Sequence, residues 1–201
     1  MKTFQLRLLA FVFGAFILFA AGSSAVQAQT ACLPDCFNDD FTPKGFLDPI
    51  DLEVPGQPGC FLRVTYGYRL ACGIWHDFYI YDIEVIGECN GSFLADINAV
   101  VQTATTLLFM SNPPVDKVGT TVGPPKPACG EVACVTNWRV IQGACWQFGV
   151  NEKYFACEQT TCCLQPYQIC RDFCDNITVT SFGGFGGSCE SSGPGCVPVC
   201  N

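Results

Sequence analysis

His76 is the only histidine in a chain of 201 residues, so a serine or cysteine nucleophile that needs an imidazole base must find it there. Its neighbours are Trp75 and Asp77, and Gly73-Ile74 precede them. The stretch reads as a hairpin loop, which makes His76 an exposed turn residue rather than a catalytic base. Sulfur is the other reactive group, with 16 cysteines. A redox-active dithiol usually carries the Cys-x-x-Cys spacing at a helix start, and structural zinc sites usually show close ligand pairs of that kind. That spacing does not occur in the chain.

Carboxylates give less direction. The chain has 18 acidic residues against 10 lysines and arginines, a formal charge of −8. Two carboxylates could serve a glycosidase, but no spacing singles out a pair. The segment 35–53 gathers Asp35, Asn38, Asp39, Asp40, Asp48, Asp51 and Glu53, oxygens of the type calcium takes. It lacks the alternate-residue ligand spacing and the glycine of a calcium loop, and reads as a solvated acidic segment. Gly183-Gly184-Phe185-Gly186-Gly187 shares only its glycine content with a phosphate loop, lacking the lysine and the strand–loop–helix setting. The expectation is therefore a protein that is not an enzyme and uses no metal and no cofactor. An acidic chain without a basic cluster is also a poor partner for nucleic acid or an anionic membrane.

The compartment follows from the first residues and the cysteines. Lys2 and Arg7 flank a short basic start, Leu8 to Ala21 is an apolar run, and Val26-Gln27-Ala28 supplies a cleavage pattern. Residues 1–28 thus read as a signal peptide, since the apolar run is shorter than the ~20 residues that span a bilayer. All cysteines lie after residue 28. That density in an exported chain implies a disulfide scaffold made in an oxidising space. The protein is expected to be secreted, whether extracellular, at a cell surface or periplasmic, with no membrane insertion once the leader is removed. Residues 29–201 read as a single disulfide-linked domain: a lobe 29–110, a Pro/Gly-rich linker 111–128 and a lobe 129–201. Five cysteines precede the linker and eleven follow it. Both counts are odd, so full pairing requires a bridge across it.

The elements that position these groups are legible from periodicity. Cys60 to Cys89 alternates on both arms of a loop at Gly73–His76, the pattern of an antiparallel hairpin with one buried face. With opposed residues summing to 149, Leu62, Val64, Tyr66, Tyr68 and Leu70 share a face with Tyr79, Tyr81, Ile83 and Val85, and Cys60 faces Cys89. On the other face Arg63 can reach Glu84 and Arg69 can reach Asp82. Leu94, Ile97, Val100, Val101, Ala104, Leu107 and Leu108 then recur at three- and four-residue steps. They predict an amphipathic helix over about 93–110, capped by Ser92 and packed on the hairpin. Further on, 135–148 reads as a hairpin turning at Gln142-Gly143 with Arg139 over Trp146. Residues 154–164 read as one strand, and 168–181 as a hairpin turning at Asp175-Asn176. Cys162 and Cys163 should face opposite sides of their strand. The fold class is mainly β: disulfide-rich antiparallel hairpins with one amphipathic α-helix on the central hairpin.

Such a chain is expected to be a secreted, cysteine-rich, non-enzymatic structural or surface-binding component with a protein, cell-surface or matrix partner. The alternative is a small secreted inhibitor, toxin or effector presenting a rigid loop, for which Ile74, Trp75 and His76 are the candidate contact residues. Asn90 and Asn176 begin sequons and are candidate glycosylation sites.

Overall fold

Two long strands of alternating apolar residues make the frame. They are β2 (Cys60–Ala71) and β3 (Trp75–Gly87), preceded by the short β1 (Ile50–Glu53). The computed structural model describes residues 49–111, 124–149, 152–157, 162–184, 189 and 193–200. The leader 1–28, the acidic residues 35–48, most of the linker and part of the Gly183–Gly187 run lie outside them. After β3 come α1 (Gly91–Leu94) and α2 (Ile97–Met110), then β4 (Val132–Gly143), β5 (Cys145–Phe148), β6 (Lys153–Ala156), β7 (Cys162–Asp172), β8 (Ile177–Ser181) and β9 (Val197–Pro198). The fold is mainly β, with a short helix on the sheet.

The β2–β3 hairpin is tighter than the alternation predicts. Leu62 faces Val85 and Val64 faces Ile83, so the first half keeps its expected face. Between Thr65 and Tyr66 the register shifts by one, and Tyr66 lies opposite Ile80. The unopposed residue is Tyr81, so the bulge lies in β3 and puts the side chains before it, Trp75 to Ile80, on the opposite face from the one simple alternation gives. Beyond it, Phe78 and His76 join the core side while Tyr79 goes to the opposite side, in a separate cluster with Ile141. The loop also moves. Ala71 faces Trp75, and the Ile74 amide closes the turn on the Ala71 carbonyl at 3.2 Å. The turn is therefore Cys72-Gly73-Ile74, with Cys72 and Gly73 at φ 53° and 71°; it does not contain His76, which is strand. Arg69 consequently faces Asp77, not Asp82. At the open end Cys60 faces Gly87 rather than Cys89. The chain bends at Gly87 (φ 82°), and the Cys60–Cys89 disulfide closes with a Cα–Cα distance of 4.7 Å. Only glycine fits at 87, because a Cβ there would overlap the Gly59 carbonyl oxygen.

The helical segment is two helices. Asn90 caps α1 by accepting from the Ser92 amide (2.9 Å), and Asp96 caps α2 by accepting from the Ala99 amide (3.0 Å). The cap preference of Asp thus breaks the run that hydrophobic periodicity alone reads as continuous. Helix α2 buries Val100, Val101, Ala104, Thr105, Leu108 and Phe109 on the sheet. Phe109 meets Phe78, Trp138 and Tyr167 at ring-centroid distances of 5.3, 5.9 and 4.8 Å.

The second half of the chain pairs over long range. β4 and β5 are adjacent in sequence but do not form the expected hairpin. β4 pairs parallel with β3 through His76–Trp138, Asp77–Arg139 and Phe78–Val140, and antiparallel with β7. β5 pairs with β6 and β9, and β6 pairs with β3 at Asp82–Glu84. One edge of β3 therefore carries β4 on its first half and β6 on its second, while β2 lies along the other edge. Residues 154–164 divide between β6 and β7 instead of forming one strand. The β7–β8 hairpin turns through Asp172–Asn176, with Asp175 at φ 67°. Strands from both sides of the linker thus share one sheet, and all described residues fall within one unit, Cys32–Asn201.

Five disulfides have both ends among the described residues: Cys60–Cys89, Cys134–Cys170, Cys145–Cys189, Cys157–Cys196 and Cys163–Cys200. The last three gather in a small buried sulfur-rich cluster with Ala144. They strap the tail, whose Val199 amide donates to the Ala144 carbonyl at 2.9 Å. Cys162, on the other face of β7, is also disulfide-bonded and packs beside Tyr79 and Ile141.

Candidate functional site

The chemistry-bearing side chains converge where the β2–β3 turn meets β4. The alternation of β3 sends His76 and Phe78 to the helix side and Asp77 to the other. Because Asp77 and Arg139 are register partners in the parallel β3–β4 pair, the guanidinium lies alongside the carboxylate. Arg139 Nε donates to Asp77 Oδ1 at 2.7 Å and Nη2 donates to Oδ2 at 2.9 Å. Arg69, opposite Asp77 on β2, donates from Nε to Oδ2 at 3.2 Å. All three side chains are buried, Asp77 completely. Burial pushes the Asp77 carboxyl up from its ordinary range, while the charges and hydrogen bonds of Arg139 and Arg69 pull it down. The guanidinium of Arg139 also lies 4.4 Å from the centroid of the Trp75 ring, a cation–π contact. The expected partner of Arg139, Trp146, lies elsewhere, buried with its Nε1 donating to the Gly143 carbonyl at 3.0 Å.

On the helix side, His76 lies at the head of an aromatic stack. Its Nδ1 shares a 2.6 Å hydrogen bond with the Tyr68 hydroxyl. Its ring stacks on Trp138 at 4.8 Å, and Trp138 stacks on Phe78 at 5.3 Å. Desolvation holds the His76 pKa below its ordinary value, which favours the neutral ring. With 3% of its surface exposed, His76 is neither the expected turn residue nor part of a contact loop. The bulge and the shorter turn draw it into the core.

Of the three expected contact residues only Ile74 is open, at 58% exposure. Trp75 is half-buried under Arg139. The Ile74 carbonyl accepts from Asn137 Nδ2 at 3.0 Å, so the turn is pinned to β4 as well as closed on itself. The arrangement does mechanical work: two arginines, an aspartate and a tryptophan hold a tight turn with an aliphatic tip. Its acidic and basic groups are buried.

The remaining expected sites are scattered. Asp51 accepts from Arg63 at 2.7 and 3.0 Å on an exposed face, which commits its carboxylate to an ion pair. Among the described residues no group of three or more His, Cys, Asp or Glu side chains could hold a metal ion. Asn90 is exposed at the α1 cap, its Oδ1 also accepting from Ser92 Oγ at 2.7 Å. Asn176 is exposed in the β7–β8 turn, with Nδ2 donating to Asp172 Oδ2 at 2.7 Å. A cleft of about 440 Å³ separates the β1–β2 turn from α2, lined by Val54, Pro55, Phe93, Leu107 and Met110 with several amides and hydroxyls.

The Arg69–Asp77–Arg139 cluster is the feature that residue types alone miss. The signal was an arginine inside an otherwise apolar strand segment, Trp138 to Ile141, which calls for a buried counter-charge. No known family, curated protein or solved structure matches the chain.

Proposed function

We propose that the protein is a non-enzymatic extracellular structural or surface-binding component. It is a small, disulfide-rich β protein, a make-up compatible with an extracellular role. The observation that carries the proposal is the burial of His76 and Asp77. The groups best suited to acid–base work are consumed in packing, His76 by Tyr68 and Trp138 and Asp77 by two arginines. Dense cross-links and a pinned turn suit a rigid contact module. Expression of the full chain in a secreting cell, followed by fractionation and thiol labelling, tests this. Oxidised protein in the medium or on a surface is expected. Reduced protein retained in the cytosol overturns the location, and turnover of an ester, glycoside or peptide panel overturns the non-enzymatic part.

The second reading, an inhibitor, toxin or effector that presents a loop, is favoured by one observation: Ile74 is exposed on a turn whose backbone is clamped by Asn137. Ile74→Asp should abolish capture of a surface or target-cell protein while the fold persists. Undiminished capture discards this reading and leaves the first.

A further inference from the structure

We propose that Cys129 and Cys174 form a solvent-exposed disulfide, a rung lying outside Cys134–Cys170. Both thiols are exposed and are not bonded in the structure, but the fold sets them at the same end of the same strand pair. Cys134 and Cys170 are directly opposed on β4 and β7, with Cα atoms 4.1 Å apart. Moving outward, Val132 faces Asp172 in the last registered pair. Each chain then turns. On the β4 side the Glu131 amide donates to the Ala128 carbonyl at 3.0 Å, and Gly130 takes φ 84°. On the β7 side Asp172 Oδ1 accepts from the Cys174 and Asn176 amides at 2.8 and 2.9 Å. An ion pair then joins the two turns, Lys126 Nζ to Asp175 Oδ2 at 2.8 Å. Lys126 lies three residues before Cys129, and Asp175 directly follows Cys174. The contact therefore flanks both thiols.

Closure is also cheap in chain entropy. Once Cys134–Cys170 exists, the ring left to close contains only residues 129–134 and 170–174, and the entropic cost of closure grows with loop length. In the reaction one thiolate attacks a sulfur of a small-molecule or protein disulfide, and the second thiolate displaces that carrier from the mixed disulfide. Two thiols lose two hydrogens and two electrons, and the carrier leaves as two thiols. Both ends of this rung are exposed, whereas each of the five described bridges has at least one end partly or fully buried, so this rung is the more open to attack by an external thiol. The sulfurs of Cys60, Cys145 and Cys163 belong to residues with no exposed surface.

Peptide mapping of the full chain, purified from an oxidising compartment and alkylated before digestion, tests the proposal. The expected result is a Cys129–Cys174 linked peptide two hydrogens lighter than its separated halves. Stepwise addition of a dithiol reductant should then label these two cysteines together and before the others. Cys174→Ser should make Cys129 alkylatable without reductant. Alkylation of both thiols in untreated protein overturns the proposal. So does linkage of either to another cysteine or to a second copy of the chain.

Discussion

Arg139 grips Asp77 at two points from the neighbouring parallel strand, 2.7 and 2.9 Å, and both side chains are buried. A carboxylate so placed is held by its partners, and the partners are held by it. Removing one charge leaves the others without water or counter-ion. Asp77→Asn should destabilise the fold by about 3–5 kcal/mol, read by urea unfolding with disulfides intact. Replacing Arg69, Asp77 and Arg139 together with apolar residues of similar volume should recover much of the loss. If Asp77→Asn is neutral, the cluster is not what fixes the turn against β4.

His76 makes stability depend on mildly acidic pH. Its folded-state pKa is depressed by desolvation, below an unfolded value of about 6.5. The unfolded chain therefore binds the proton more strongly, and stability rises with pH across that interval. It is fully present above about pH 6.5 and falls as pH drops toward the folded-state pKa. Denaturant midpoints measured from about pH 8 to 5 should show this decline. In His76→Phe, which keeps a ring against Trp138, the decline should shrink. Asp51, Asp172 and Asp175, all with lowered pKa values, add a more acidic loss common to both proteins. A pH profile unchanged by the substitution contradicts the assignment.

Phe109 is the point where α2 locks to the sheet. It touches Phe78, Trp138 and Tyr167, rings from three different strands, and is 5% exposed. Phe109→Ala should cost about 3–5 kcal/mol. Met110, the next residue, is 43% exposed, and Met110→Ala should change stability by less than about 0.5 kcal/mol. Similar thermal shifts for the two would refute the packing described for the helix.

Gly87→Ala tests the open end of the hairpin. Gly56 and Gly87 both have positive φ, but only at Gly87 would a Cβ meet backbone. The conformational penalty alone is about 1 kcal/mol. Gly56→Ala should show roughly that cost, and Gly87→Ala distinctly more. Non-reducing peptide mapping of Gly87→Ala should also show Cys60–Cys89 forming less completely. Equal costs would mean that Gly59 can move aside.

Local order was readable from the residues; partner choice was not. The alternation of β2 and β3, the turn at Asp172–Asn176 and the apolar stripe of α2 depend on neighbours in sequence, where periodicity reports directly. The bulge at Tyr81 left no mark, because Phe78, Tyr79, Ile80 and Tyr81 are all aromatic or aliphatic and suit either face. The shorter turn shifts the pairing by two residues and the bulge by one more, and together they move His76 inward and bring Arg69 to Asp77. β4 and β5 misled for another reason. Separated in sequence only by Ala144, they invite a hairpin, yet each finds a better partner far away: β7 for one, β6 and the tail for the other. The break at Asp96 was a choice between a weak cap signal and a strong apolar repeat, and the cap prevailed.

The sharing of β3 between β4 and β6 has a consequence for how the chain folds as it is made. While the chain is emerging, β2 and β3 can zip together at once, but the far flank of β3 has nothing to bond until residues beyond 130 arrive. For that interval the nascent protein displays an unprotected apolar ribbon edge, the kind that invites another copy to add on. The yield of folded protein should thus fall as nascent chains crowd one another, and slower synthesis or a holdase during that interval should raise the yield of correctly bridged protein.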